Sequence, residues 1–131
     1  MSAAKAVSVA DIVIVGLGEV GGPFFEEILK LTERGIRIVG VCELSDTPGR
    51  RRARELGIPL MDLDQVATLG HAVDIVFDLT GNPAVRRGLR EQMIATGNRH
   101  TVIAPEAVAR ILWVAVSEED ALIEGHADRG Y

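Results

Sequence analysis

A short β-branched run, Asp11-Ile-Val-Ile-Val, leads straight into Gly16-Leu17-Gly18-Glu19-Val20-Gly21-Gly22-Pro23, and Glu43 closes the next β-branched run. Glycines spaced as Gly-x-Gly-x-x-Gly between a strand and a helix let the backbone come close to phosphate. Gly16 allows the tight turn out of the strand, Gly18 allows approach to a pyrophosphate, and Gly21 lets helix and strand pack closely. The helix start behind them offers free N–H groups and the positive end of a dipole. Glu43, twenty-two positions after Gly21, is placed to accept hydrogen bonds from ribose hydroxyls. Gly16, Leu17, Gly18, Glu19, Val20, Gly21 and Glu43 are therefore expected to bind a dinucleotide, NAD(H) ahead of NADP(H). The alternative is a glycine-rich strand-to-helix turn with no ligand. Glu19 has the wrong sign for a phosphate neighbour, so its side chain is expected to point outward while its N–H binds.

These residues need a scaffold, and strand and helix signals alternate along the chain as in a parallel sheet covered on both faces. Strands are expected at about 11–15, 36–42, 58–61, 74–79 and 101–104. Phe24, Phe25, Ile28, Leu29 and Thr32 recur at helical spacing, and Gly35 is placed to end that helix. Thr47 and Pro48 open a second helix that Gly57 ends; Asp62 and Gln65 give a capping-box start to a short third one, with Leu63, Val66 and Leu69 on its apolar side. Asn82-Pro83 begins the fourth helix, Gly97 ends it, and Pro105 opens the fifth. With right-handed crossovers, the arrangement is one α/β doubly wound parallel sheet in order 3-2-1-4-5, its binding crevice at the strand C-terminal ends between the first and fourth strands. Residues 1–131 are expected to form one domain, with 117–131 as a tail or short helix.

The loop Gly16-Leu17-Gly18-Glu19-Val20-Gly21-Gly22-Pro23 resembles the Gly-Leu-Gly-x-Met-Gly-x-Pro of the hydroxyisobutyrate and phosphogluconate dehydrogenase families, a likeness of about eight residues that speaks to cofactor binding. Over its whole length, and in Asp74-Ile-Val-Phe-Asp78-Leu-Thr80-Gly81-Asn82-Pro83, the chain is similar to the Rossmann-type nucleotide-binding half of homoserine dehydrogenase and of the glucose–fructose oxidoreductase class. That resemblance implies that Thr80, Gly81 and Asn82 contact the cofactor; from its position alone, Asn82 is equally suited to cap the fourth helix. The second class carries a Glu-Lys-Pro-type turn after its fifth strand, whereas this chain reads Val102-Ile103-Ala104-Pro105-Glu106 and has no lysine there. Its only lysines are Lys5 and Lys30, the latter expected on a solvent-facing helix surface. The chain also resembles Rossmann-like modules at the N-termini of bacterial sensor kinases, through Ala53-Arg-Glu-Leu-Gly57-Ile-Pro59, the Asp78–Pro83 loop and Ala109-Arg-Ile-Leu-Trp113. That likeness implies a sensory or regulatory role.

A chain of 131 residues buries roughly two-thirds of the surface its unfolded form exposes, enough for one core. No catalytic residue is assigned, since these 131 residues are expected to supply a nucleotide-binding half without a second domain to enclose a substrate. A hydrophobic content of 47% with 4% aromatic points to aliphatic cores such as buried parallel strands require. A net charge of −5 argues against nucleic acid or an anionic membrane as partner. No apolar run has membrane-spanning length, and Met1 to Ala10 lack the apolar core of a leader. The lone Cys42 in an expected strand gives neither a disulfide framework nor zinc spacing, and a cytoplasmic setting follows. His71, His100 and His126 have no ligand spacing, so no metal site is expected.

Arg50, Arg51 and Arg52 stand where basic residues hold the extra phosphate of NADP, though a solvated helix face with an Arg51–Glu55 pair is the commoner arrangement and Glu43 would repel that phosphate. The fifth helix is apolar nearly all round. Val108, Ile111, Leu112 and Ala115 are expected on the sheet, leaving Trp113, Val114 and Val116 to be covered by a second subunit or by residues 117–131, with Ser117 and Asp120 as caps and Leu122 and Ile123 packing down. The sequence thus reads as an NAD(P)(H)-binding regulatory module, a homodimer through the helix carrying Trp113. An oxidoreductase completed by another chain and a binder of another adenine nucleotide or coenzyme A are the alternatives.

Overall fold

The computed structural model describes residues 8–117. Lys5, Asp120, Leu122, Ile123 and His126, and the expectations attached to them, lie outside the described residues. The strands are β1 (Ala10–Val15), β2 (Ile36–Cys42), β3 (Ile75–Asp78) and β4 (Val102–Ala104), all parallel in the order β2-β1-β3-β4. The helices are α1 (Gly21–Leu29), α2 (Pro48–Glu55), α3 (Leu63–Ala67), α4 (Pro83–Ala95) and α5 (Glu106–Val116).

The run at 58–61 contributes one parallel bridge, Val41 to Leu60, beside β2, and otherwise the strand order is the expected one. The Val41 N–H donates to the Pro59 carbonyl and the Met61 N–H to the Val41 carbonyl. Pro59 has no N–H to extend the ladder, and Asp62 already caps α3, so the pairing stops there. A bulge between β1 and β2 at Ile12/Val13 brings Gly40 opposite Val13. A Cβ on Gly40 would lie 2.7 Å from Met61 Cε, so the missing side chain makes room for that thioether.

Helix starts follow the capping logic of the sequence. Thr47 accepts from the Arg50 N–H, Asp62 and Gln65 form the reciprocal capping box, and Asn82 accepts from the Ala84 N–H. Alternate strand residues separate two cores. Ile12, Ile14, Phe24, Phe25, Val41, Ala53, Phe77 and Ala109 fill the layer under α1, α2 and α5; Val13, Val15, Val66, Val76, Leu89 and Met93 fill the layer under α3 and α4. Phe24 and Phe77 meet with ring centroids 5.0 Å apart at 56°, tying α1 to the centre of the sheet.

The fifth helix is turned differently from its expected setting. Leu112 packs on the core as expected, but Glu106, Ala109 and Trp113 are the residues that face inward, with Trp113 only 3% exposed against Val20, whereas Ile111 and Val114 stand 70% and 72% exposed. Burying the large indole removes more apolar surface from water than the smaller stripe would, which sets the rotation. A tryptophan covered by its own chain cannot anchor a subunit contact, so the apolar face left open runs through Val108, Ile111 and Val114.

At the N-terminal end of the sheet the fold collects charges that the sequence separates. Asp74 Oδ2 accepts the Asp11 N–H at 2.8 Å and Oδ1 lies 2.7 Å from His100 Nε2; the His71 ring stands edge-on to His100 at 5.1 Å. The backbone donor first, then the imidazole, holds the Asp74 carboxyl below its ordinary pKa of 3.8. A folded pKa below the unfolded one adds stability above the unfolded value, and that stability is lost as pH falls through the folded value. Asp74→Asn is therefore expected to flatten the acid limb of a Tm-against-pH profile below pH ~4 and to leave its alkaline limb unchanged.

Candidate functional site

The glycine loop leaves β1 pinned from both sides. The Gly16 N–H donates to the Cys42 carbonyl at 2.8 Å and the Leu79 N–H to the Val15 carbonyl at 2.8 Å, so the loop sits between the C-terminal ends of β2 and β3. Gly16 has φ +95°, and a Cβ there would lie 2.9 Å from the Leu79 backbone. A Cβ on Gly21 would lie 1.7 Å from the Gly16 carbonyl oxygen, which is the close helix–strand approach expected of the third glycine. Gly18 differs: nothing lies within 4 Å of a Cβ built on it. Its α-carbon opens to solvent at the mouth of the loop.

Unlike α2, α3 and α4, helix α1 has no side-chain cap on its N-terminus. Among the described residues, the N–H groups of Gly18, Glu19, Val20 and Gly21 find no acceptor. These unpaired donors, in the turn before α1 and at its first residue, and the positive end of the helix dipole lie next to the open Gly18, an arrangement suited to phosphate oxygens. Glu19 is exposed, and Val20 is buried against Trp113.

Glu43 stands at the end of β2 with its carboxylate turned to the loop. Oε1 accepts the Leu17 N–H at 2.7 Å and Oε2 accepts the Ser45 N–H at 3.0 Å, leaving each oxygen a lone pair for a further donor. Arg50 Nε donates to the Glu43 carbonyl at 2.8 Å. Arg51 pairs with Asp46, in place of the Glu55 pairing its spacing suggested, and Arg52 pairs with Glu26. Leu44, next to Glu43, is 83% exposed.

On the β3 side Asp78 is fully buried, and its Oδ1 accepts from both the Thr80 N–H and hydroxyl. Gly81 has φ +69°, and the Asn82 side-chain oxygen is committed to the α4 cap. Of this loop, the Leu79 and Thr80 backbone packs against Gly16. Cys42, behind the loop, is buried, and burial first, then Glu43 and Asp62, push its thiol up to about 11. A thiol so protonated is a core residue, not a nucleophile. No group of three or more His, Cys, Asp and Glu among the described residues could hold a metal ion, and none of the described helices is long and apolar enough to cross a membrane.

One supporting residue lacked an obvious signal in the sequence. Gly49 of α2 lies so close to the loop that a Cβ would be 2.9 Å from Leu17 Cβ and 3.0 Å from the Leu17 carbonyl. Only its place between the cap Thr47 and the arginines could have hinted at this. A groove of about 750 Å³ runs from Gly18 between the first turns of α1 and α2, over Pro23, Pro48 and Gly49. Gly49→Ala is expected to displace the loop and weaken phosphate binding roughly tenfold without unfolding the chain, measurable by calorimetric titration with NADH.

No family model matches the chain. Ribose-5-phosphate isomerase A of Haloarcula marismortui is 32% identical over 124 residues, covering 90% of this chain and 53% of that protein. The chain thus spans about half the length of the curated relative it matches. An NADH-preferring ketol-acid reductoisomerase from an uncultured archaeon superposes on 73% of this chain and 28% of its own, with a TM-score of 0.50 and 22% identity. The fold is Rossmann-like. Glucose dehydrogenase of Haloferax mediterranei covers 96% of this chain and 45% of its own at a TM-score of 0.47 and 12% identity.

Proposed function

We propose that this chain binds NAD(H), with NADP(H) second, through the glycine loop, and acts as a binding or regulatory module. The observation that carries the reading is the uncapped start of α1 and the turn before it, where the N–H groups of Gly18, Glu19, Val20 and Gly21 find no acceptor among the described residues, beside an open Gly18 and a Leu17 held by Glu43. The pyrophosphate lies on Gly18, Glu19, Val20 and Gly21, and the adenosine ribose on the remaining lone pairs of Glu43. The exposed Leu44 offers the adenine an apolar surface, and Thr80, Gly81 and Asn82 face the nicotinamide half. The resemblances to the nucleotide-binding half of homoserine dehydrogenase and to sensor modules support the same assignment. Glu43, and the engagement of Arg51 with Asp46 and Arg52 with Glu26, favour NAD(H) over its phosphorylated form.

The open face of Val108, Ile111 and Val114 suits association with a second copy, through which occupancy would be reported. An oxidoreductase completed by another chain is the alternative. The identity with ribose-5-phosphate isomerase A favours a second reading, in which the same donors hold the phosphate of a phosphorylated pentose. Calorimetry against NAD, NADH, NADP, NADPH, ATP, coenzyme A and ribose 5-phosphate separates these. NADH is expected to bind with micromolar affinity and ribose 5-phosphate not to bind. Binding of the pentose phosphate alone would replace the dinucleotide reading with the second one.

A further inference from the structure

A ribose-binding acid needs only to face the ribose, yet the Glu43 carboxylate is spent first on the loop itself. Leu17 is 1% exposed, and its N–H reaches Oε1 at 2.7 Å, a short bond to a charged acceptor. The second oxygen holds the Ser45 N–H, and Arg50 Nε fixes the Glu43 carbonyl from the first turn of α2. Glu43 is therefore held at both ends and holds Leu17 in turn. Leu17 is the residue between the tight turn at Gly16 and the open Gly18, so its peptide orientation sets where the following free N–H groups point. Without the carboxylate, a buried N–H would lack its acceptor and the loop would turn to find another.

We propose that Glu43 is a positioning residue for the phosphate part of the ligand, acting through Leu17, in addition to any contact with ribose. This rests on the dinucleotide reading of the site. The sign of the effect makes it testable. Removing a negative charge beside an anion site should, by relief of Coulomb repulsion alone, strengthen the binding of phosphate. Loss of the loop's fixed shape should weaken it.

Inorganic pyrophosphate, which has no ribose, and NADH are titrated into the full chain and into Glu43→Ala and Glu43→Gln, with the Leu17 amide followed in ¹⁵N-labelled samples. The alanine variant is expected to bind pyrophosphate about tenfold more weakly, with its Leu17 proton resonance moved upfield. The glutamine variant keeps an acceptor oxygen at the same reach and is expected to recover most of the pyrophosphate affinity. Should the alanine variant not fold, Glu43→Asp keeps the charge on a side chain too short to hold Leu17 in the same way, and the same weakening is expected. Pyrophosphate affinity that is unchanged or raised in the alanine or aspartate variant, with NADH weakened, would confine Glu43 to the ribose and overturn the proposal. A parent chain that binds neither ligand would overturn the dinucleotide reading, and this role with it.

Discussion

Gly18→Val is expected to lower NADH affinity at least ~100-fold, about 2.7 kcal/mol, while the chain keeps its fold. The unliganded protein has room for the new side chain, since nothing lies within 4 Å of a Cβ at this position and φ there is not positive. What the isopropyl group fills is the space through which phosphate oxygens would reach the N–H groups of Gly18 to Gly21. Calorimetric titration measures the loss, and a melting curve shows that folding is spared. A valine variant that binds NADH as well as the parent would put the ligand elsewhere.

Gly21→Ala is expected to act on the fold itself. Its Cβ would be 1.7 Å from the Gly16 carbonyl oxygen and 2.6 Å from the Gly16 carbonyl carbon, both backbone atoms held by the end of β1. Helix α1 would have to lift away from the sheet, opening the packing of Phe24 on Phe77. The expected cost is roughly 3 kcal/mol or more, a fall in Tm of roughly 10–20 °C. Gly88→Ala is the matched control. It lies inside α4 with nothing within 4 Å of an added Cβ, so it is expected to stabilise by roughly 0.5–1 kcal/mol.

The contrast between these glycines marks how much of the site the sequence carried. The spacing of Gly16, Gly18 and Gly21 gave each its own task because the motif sits between a strand and a helix, and local capping chemistry at Thr47, Asp62 and Asn82 located three helix starts. Those signals act within a few residues of each other. Gly49 against Leu17, and His71 beside His100, arise where distant segments meet, and no local pattern records such a meeting. The 58–61 run reads as a strand by its apolar residues, but a proline in the ladder and a cap directly after it leave a single bridge. The fifth helix failed for a different reason. An element apolar on nearly every side has no preferred face in its own sequence, so the packing of Trp113 on Val20 decided its rotation.

That packing also ties α5 to the glycine loop, since Val20 is both the first residue before α1 and the partner of Trp113.

The most direct test of the central claim is an amide-resolved titration of the ¹⁵N-labelled chain with NADH. The resonances of Gly18, Glu19, Val20 and Gly21 are expected to shift most, with those of Leu17 and Ser45 following as the ribose engages Glu43. Saturating NADH that leaves these amides unmoved, or moves only residues away from the first turn of α1, would contradict it.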